Sequence, residues 1–252
     1  VELPNFFGDN DGSYLKFGNR NMKSDRSYAQ SSFGWDDGDH FFDYSGDRDH
    51  FLSSDNIDVD GNGETALVMS NLTDAFPEYS GVRDIAAFYA MVDSPFAEKW
   101  RFIGGLRHED TSIEVTSLSA RPQYIPDAVS NISESHLLPS ANFVYALREN
   151  QNLRFAYTQT VARPSFREVT PAAEFDSIGS FLIVGNADLK MTEISNYDLR
   201  WELFPEDSGE LIAVSVFFKE LENPIEQVID DVGFISWDNV QTGKVQGVEL
   251  EA

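Results

Sequence analysis

Cysteine is absent from the 252 residues of this chain. Its absence excludes a disulfide framework and metal sites built from thiolates. It fits a protein that crosses an oxidising periplasm, although many cytosolic chains also lack cysteine. A continuous apolar run of about 20 residues, the length of a membrane-spanning helix, is absent as well. Membrane β-strands need only about 9–11 residues of alternating polarity, so the absence of such a run does not exclude a membrane β-barrel.

Positive charge is scarce. The chain has 18 Lys and Arg against 43 Asp and Glu, which gives a formal net charge of −25. Such an acidic field repels the phosphates of nucleic acids, so we expect no DNA or RNA partner.

Sequence motifs of catalysis are also absent. The chain has no G-x-S-x-G motif, no P-loop and no dinucleotide fingerprint, and its four histidines lack metal-ligand spacing. With so many carboxylates, a glycosidase-like acid/base pair cannot be singled out. We therefore expect that the chain is not an enzyme and needs no cofactor.

Strict alternation of apolar and polar residues dominates two stretches, 152–160 and 196–203. A period of two predicts β-strands with one apolar and one polar face. The apolar positions are Leu153, Phe155 and Tyr157 in the first stretch, and Tyr197, Leu199, Trp201 and Leu203 in the second. The opposite faces carry arginine, asparagine, aspartate and glutamate, as the wall of a water-filled lumen would.

Other alternating segments surround this pair. One predicted strand has Ile85, Ala87, Tyr89 and Met91 on one face, and the next has Trp100, Phe102, Gly104 and Leu106. Short turns alternate with long loops at 117–136 and 161–192. This rhythm is typical of an up-and-down barrel with one flush and one elaborated rim, whereas a soluble sandwich has turns of more even length.

The first third of the chain differs in composition. Residues 1–84 form an acidic, Gly/Asp-rich loop region with little regular structure, in which we expect at most a short strand near Ser13–Phe17. Residues 85–252 carry the antiparallel strands.

A half-motif for calcium lies in the acidic region. Asp58, Asp60 and Asn62 with Gly63 match the first half of an EF-hand loop, but the twelfth position is Met69 instead of glutamate. The segment is a weak calcium candidate, and the alternative is an acidic, solvated turn.

Aromatic residues stand among aspartates in the same region. Trp35, Phe41, Phe42 and Tyr44 offer platforms for sugar faces, and the carboxylates beside them can accept hydrogen bonds from hydroxyls. We predict that these four residues contact substrate, because long loops commonly carry function. The same composition also fits a solvated surface loop.

Three spaced elements resemble the barrel of TonB-dependent outer-membrane receptors: Thr160–Pro164 (TVARP), Gly185–Lys190 (GNADLK) and Asn196–Leu199 (NYDL). Two prolines of the family pattern are replaced by Ala187 and Met191. We expect structural roles for the motif residues, which are Arg163, Pro164, Gly185, Asn186, Asn196 and Tyr197. Arg163-Pro164 would end a strand, and Gly185-Asn186 would form a turn before the next one.

The resemblance implies an all-β fold: a segment of an antiparallel, up-and-down transmembrane β-barrel with long extracellular loops. About eight to ten of roughly 22 strands would be present, so this incomplete barrel could not close. Neither a plug domain nor a TonB box is recognisable, and we expect the chain to be part of a longer protein. The resemblance implies the Gram-negative outer membrane as location, with lipid, a small nutrient ligand, and TonB (through the missing N-terminal region) as partners.

The function that follows is uptake of a scarce nutrient across the outer membrane. The aromatic–acidic loop favours an oligosaccharide over a ferric siderophore as that nutrient. A soluble, secreted all-β module that binds glycans is the alternative, and an all-β glycoside hydrolase is a third hypothesis.

Overall fold

The computed structural model describes residues 2–3, 12–29, 33–37, 67–71, 78–118, 128–170, 173–175, 182–205, 209–229 and 233–252. Its strands are β1 (Glu2–Leu3), β2 (Ser13–Tyr28), β3 (Phe33–Asp37), β4 (Leu67–Asn71), β5 (Glu78–Ala97), β6 (Trp100–Leu118), β7 (Ala128–Arg148), β8 (Gln151–Ala162), β9 (Ala173–Phe175), β10 (Leu182–Val184), β11 (Thr192–Leu203), β12 (Ile212–Glu222), β13 (Ile225–Ile229), β14 (Ile235–Asn239) and β15 (Thr242–Glu251). One short helix, α1, spans Phe166–Val169. None of the described helical residues forms a helix long and apolar enough to cross a membrane.

One antiparallel sheet of nine strands forms most of the described structure, in the order β1-β2-β5-β6-β7-β8-β11-β12-β15. Two-residue turns join β5 to β6 and β7 to β8, while the connections at the opposite rim are long. Nine strands lie within the predicted range of eight to ten. The sheet is open, and its up-and-down order confirms the prediction of an incomplete barrel segment.

One side of the sheet, the apolar face, carries large hydrophobic side chains on neighbouring strands. The cross-strand registers align Leu106 and Pro139, Phe143 and Phe155, Leu199 and Val216. Along β7 this face runs from Leu137 to Tyr145, a rise of about 27 Å at 3.4 Å per residue. That height matches the apolar band of about 25 Å on transmembrane barrels.

The other side of the same strands is the charged face. Its ionised residues include Asp93, Arg101, Arg107, Glu109, Arg154, Arg200, Glu202 and Glu251. The two faces confirm the predicted alternation in residues 152–160 and 196–203.

Polarity inverts along the longest strands. On β6 the apolar face ends at Leu106 and continues as His108, Asp110 and Ser112, while Ile113 and Val115 on the opposite face are buried. These buried residues belong to a core of Tyr79, Ile113, Val115, Ile132, Val169, Leu189 and Met191. The strands therefore extend beyond the apolar band, and there the apolar side chains point inward.

Four predictions are wrong in detail. The side chains of Ile85 and Ala87 are buried on the charged face, so the outward residues of β5 are instead Phe88, Ala90 and Val92. The strand near Ser13–Phe17 continues to Tyr28, because the backbone of its polar residues pairs with the backbone of β5. Ala128–Arg148 is one strand, so most of the loop predicted at 117–136 is sheet; β5 also crosses the domain boundary predicted at residue 84.

Candidate functional site

The connection between β8 and β11, residues 163–191, is here called the inner segment. Its described residues (163–170, 173–175 and 182–191) contact the charged face of β5, β6 and β7 and contribute Val169, Leu189 and Met191 to the core described above. Its helix α1 begins with a capping box: Glu168 N–H donates to Ser165 Oγ (3.4 Å), and Ser165 N–H donates to Glu168 Oε2 (2.9 Å). These bonds satisfy free N–H groups at the start of α1, so even a one-turn helix keeps a defined shape.

Gly81 on β5 makes room for the inner segment. A Cβ atom at this position would lie 2.5 Å from Cδ1 of Phe166, which is closer than real side chains approach. The Phe166 ring also receives the Arg83 guanidinium, whose Cζ lies 5.8 Å from the ring centroid. Glycine at position 81 therefore lets the aromatic ring lie directly on the sheet.

A carboxylate between two arginines fixes the start of the inner segment. Glu109 is buried on β6 and accepts hydrogen bonds from Nε of Arg107 (2.9 Å). Arg163 forms an ion pair with the same carboxylate and donates from Nε to Thr111 Oγ1 (3.3 Å). Burial lowers the pKa of Arg163, and the nearby Arg83 and Arg107 lower it further. Arg163 remains charged at neutral pH, since a guanidinium loses its proton only in strong base.

Gly185 and Asn186 fasten the far end of the inner segment. Gly185 lies against the end of α1, where an added Cβ would approach Thr170 O to 2.2 Å. Asn186 N–H donates to Glu168 O (2.7 Å), and Asn186 Nδ2 donates to Trp237 O (3.0 Å). Asn186 Oδ1 accepts from Asp188 N–H (2.9 Å), which closes a turn through its own side chain.

A second long connection, residues 223–241, joins the inner segment. Strands β13, β14, β10 and β9 form one small sheet drawn from both connections. Asn239 links the two: its Oδ1 accepts from Lys190 N–H (2.8 Å), and its Nδ2 donates to Lys190 O (3.1 Å) and Asn223 O (2.7 Å). The two connections are thus bonded into one unit, here called the joined loops.

The end of the inner segment is bonded to a glutamate that lies beside a buried histidine. Met191 N–H donates to Glu134 Oε1 (3.2 Å), and Glu134 Oε2 lies 3.3 Å from Nε2 of the buried His136. His136 is also the cross-strand neighbour of Glu109. The two carboxylates that hold the inner segment therefore sit on adjacent strands.

Ion pairs continue along the charged face toward the rim of short turns. Arg154 and Arg200 lie opposite each other and share Glu202, at 2.7 and 3.0 Å from their Nε atoms. Arg200 also pairs with Glu251 (2.6 Å). Charges of both signs thus line this side of the sheet, and each of these arginines has a carboxylate partner.

The third motif element spans both faces. Asn196 is buried, and its Nδ2 donates to Thr158 O (3.1 Å) on β8. Tyr197 lies on the apolar face between Tyr157 and Phe218, with ring centroids at 5.1 and 6.2 Å. Near the rim of short turns, the ring centroids of Trp100 and Tyr145 lie 4.7 Å apart. Aromatic residues thus border the apolar face at two levels, as at the interfaces of membrane proteins.

Most of the predicted ligand-binding residues lie outside the described part of the chain. These are the aromatic residues Phe41, Phe42 and Tyr44 and the calcium candidates Asp58, Asp60 and Asn62. Trp35 lies on β3, opposite Met69 of β4. Within the described residues, no group of three or more His, Asp or Glu could hold a metal ion.

Sequence reasoning missed Glu109 and Asn239, which hold the inner segment. Both are ordinary polar residues in the sequence, and their importance comes from partners 54 and 49 residues away, Arg163 and Lys190. A signal for Glu109 was present: continuing the alternation from Arg107 puts it on the same face.

An open, antiparallel, up-and-down sheet with one apolar and one charged face defines a segment of a transmembrane β-barrel. A family model described as "TonB dependent receptor-like, beta-barrel" matches residues 3–252. The chain belongs to this family, whose members are outer-membrane receptors.

Solved structures share the fold. The siderophore receptor PiuA of Acinetobacter baumannii is 14% identical, with a TM-score of 0.61 over 99% of this chain and 33% of that one. The ferric-catecholate import receptor Fiu of E. coli K12 is 15% identical (TM-score 0.60; 95% and 32%). The hemophore receptor HasR of Serratia marcescens, solved with HasA and heme, is 11% identical (0.56; 95% and 39%).

The chain spans between 32% and 39% of the length of these three structures. No curated protein matches it by sequence.

Proposed function

We propose that this chain is the barrel portion of a transporter that takes up a scarce nutrient across the outer membrane, energised through TonB. Membership of the receptor family carries the proposal. The apolar face faces lipid. Phe155, Leu199 and Val216 lie side by side on neighbouring strands, and they are 46%, 46% and 48% exposed, so together they form one exposed apolar surface. In water such a surface would promote aggregation, whereas lipid would cover it.

The charged face then faces the lumen and the transported ligand. Paired arginines and carboxylates keep this wall hydrated without a strong field of one sign. The inner segment narrows the lumen near the rim of long connections, which we assign to the outside of the cell. A ligand entering from that side would pass the joined loops first.

Of the two ligand classes, we favour a neutral oligosaccharide. The charges of the lumen wall are paired, but the chain as a whole has a net charge of −25, which repels anionic ligands as they approach. Aromatic residues also stand among aspartates in residues 33–44. A ferric siderophore is the second candidate, because siderophore import is named for receptors that share the fold.

Localisation and uptake test the proposal with the full-length protein. We expect it to co-sediment with outer membranes and to need detergent for extraction. A deletion strain should lose growth on a defined glycan and recover it with the wild-type gene. Growth lost only under iron limitation would instead support the siderophore. Recovery of the protein solely from the soluble fraction would contradict transport and favour the glycan-binding module.

A further inference from the structure

Both ends of the inner segment are held at one place on the sheet. At its start, Arg163 pairs with Glu109 of β6. At its end, Met191 N–H donates to Glu134 Oε1 of β7 (3.2 Å). His136 lies between these two attachments, because it is the cross-strand neighbour of Glu109 and stands two residues after Glu134 on the same face of β7. A single histidine is therefore next to both ends of the inner segment.

The His136 ring faces more than one carboxylate. Its Nε2 lies 3.3 Å from Glu134 Oε2 and 3.8 Å from Oε1 of Glu193, the second residue of β11. The histidine is buried, and its Nδ1 has no hydrogen-bond partner among the described residues. Because ionised carboxylates can only accept, Nε2 must carry a proton in order to donate to them. A second proton would go to Nδ1 and make the ring a cation.

The charges around the ring are not balanced without that cation. They are the carboxylates of Glu109, Glu134 and Glu193 and the guanidinium groups of Arg107 and Arg163. Arg83 of β5 lies against the Phe166 ring, and Asp188 and Lys190 of the inner segment are exposed to solvent. Three negative charges thus face two positive ones, and a cationic His136 supplies the missing positive charge. With a neutral ring, the cluster keeps one excess negative charge.

We propose that His136 is a pH-dependent latch, a side chain whose charge decides how firmly the end of the inner segment is held. Histidine is the side chain that ordinarily changes charge between about pH 5 and pH 8. The cationic ring attracts Glu134 and Glu193, and so fixes both the carboxylate that accepts from Met191 N–H and the start of β11. Loss of the proton weakens both attractions. The latch is therefore closed at mildly acidic pH and loosens as the pH rises.

The latch goes beyond the uptake of a nutrient, because it depends on the fold and not on the ligand. The inner segment is bonded to the second long connection through Asn239, which accepts from Lys190 N–H next to Met191. A looser end of the inner segment would thus loosen the joined loops with it. Mild acidity would keep both connections in place over the charged face.

Hydrogen exchange of the full-length protein in lipid vesicles tests the latch. Protection of the Met191 amide, corrected for the intrinsic effect of pH on exchange, should be about fivefold to tenfold higher at about pH 5.5 than at about pH 8, because the hydrogen bond from His136 becomes charge-assisted on both sides. His136→Gln keeps a neutral donor at every pH, so its protection should be equal at the two pH values. The control His108→Gln changes an exposed histidine of β6, 3.7 Å from Asp110 on the other side of the sheet, and should keep the pH dependence of wild type.

Equal protection of the wild type at the two pH values, or the wild-type pH dependence in His136→Gln, would overturn the inference. If His136→Gln fails to fold, Glu134→Gln replaces the half-buried carboxylate beside the ring. Its amide oxygen still accepts from Met191 N–H, but the charge that attracts the protonated ring is gone. This variant should lose most of the pH dependence, and an unchanged pH dependence would again overturn the latch.

Discussion

At the scale of single residues, the position of the inner segment depends on buried charge and on space. Glu109 neutralises Arg107 and Arg163, and Gly81 gives the Phe166 ring a flat surface. Both effects act at the interface between the segment and the charged face. Each can be tested by one substitution.

The variant Glu109→Gln should destabilise the protein by roughly 3 kcal/mol, because it leaves two arginines beside a neutral amide at a buried site. The free energy of unfolding from urea titration of the full-length protein in lipid vesicles measures this effect. Glu114→Gln, on the exposed side of the same strand, is the control and should change stability by less than about 0.5 kcal/mol. Equal effects of the two variants would show that the buried ion pair contributes nothing.

The variant Gly81→Ala should cost about 1–3 kcal/mol, since its methyl group overlaps the Phe166 ring and forces the inner segment away from the sheet. Limited proteolysis should then cleave residues 163–191 faster than in wild type. Gly243→Ala is the control, because its added carbon would meet Pro224 Cγ at 3.4 Å, an ordinary contact distance. Unchanged cleavage of the Gly81 variant would mean that the ring does not depend on glycine there.

At the scale of elements, two long connections behave as one unit. Strand β14 pairs with both β13 and β10, and the Asn239 side chain makes three hydrogen bonds to backbone atoms of Lys190 and Asn223. Because these bonds cross from residue 239 to residues 190 and 223, the joined loops should open together.

The variant Asn239→Ala should uncouple the joined loops. Hydrogen exchange at Lys190 should become at least tenfold faster, because loss of a hydrogen bond of about 1.4 kcal/mol lowers the opening free energy by that amount. Asn239→Asp keeps the acceptor for Lys190 N–H but loses both donor bonds, so its exchange rate should be intermediate. Identical rates in all three proteins would contradict the coupling.

The same elements show which parts of the fold the sequence predicts. Alternation predicts β8 and β11 with their faces, because these strands stay within the apolar band. It fails for the first half of β7, since the outward residues Asn131, Ser133 and Ser135 lie beyond that band and the inward Ile132 is apolar. Where a strand leaves the band its apolar face changes side, so the two signals cancel along the chain and composition suggests a loop.

The motif residues illustrate a different limit. The sequence predicts that they shape the loop, because Pro164 and Gly185 have strong local preferences. Their partners were not, since Asn186 bonds to Trp237, 51 residues away. Pairing over such a distance depends on the strand order of the sheet, which local sequence does not contain.

At the scale of the whole molecule, one continuous apolar face must be covered. The variant Leu199→Arg should destabilise the protein in lipid by about 2–4 kcal/mol, because an arginine at mid-band would face hydrocarbon. Asp198→Arg, one residue earlier on the charged face, is the control and should be tolerated. Folding yield in vesicles measures both, and equal yields would contradict a lipid-facing Leu199.

The environment of successive residues on β11 tests the membrane-spanning barrel most directly. Single cysteines at positions 196–203 of the full-length protein, spin-labelled in lipid vesicles, report accessibility to oxygen and to a water-soluble nickel complex. We predict high oxygen accessibility at Tyr197, Leu199, Trp201 and Leu203, and low values at the alternate positions Asn196, Asp198, Arg200 and Glu202. Uniform accessibility to the nickel complex along the strand would contradict a membrane-spanning barrel.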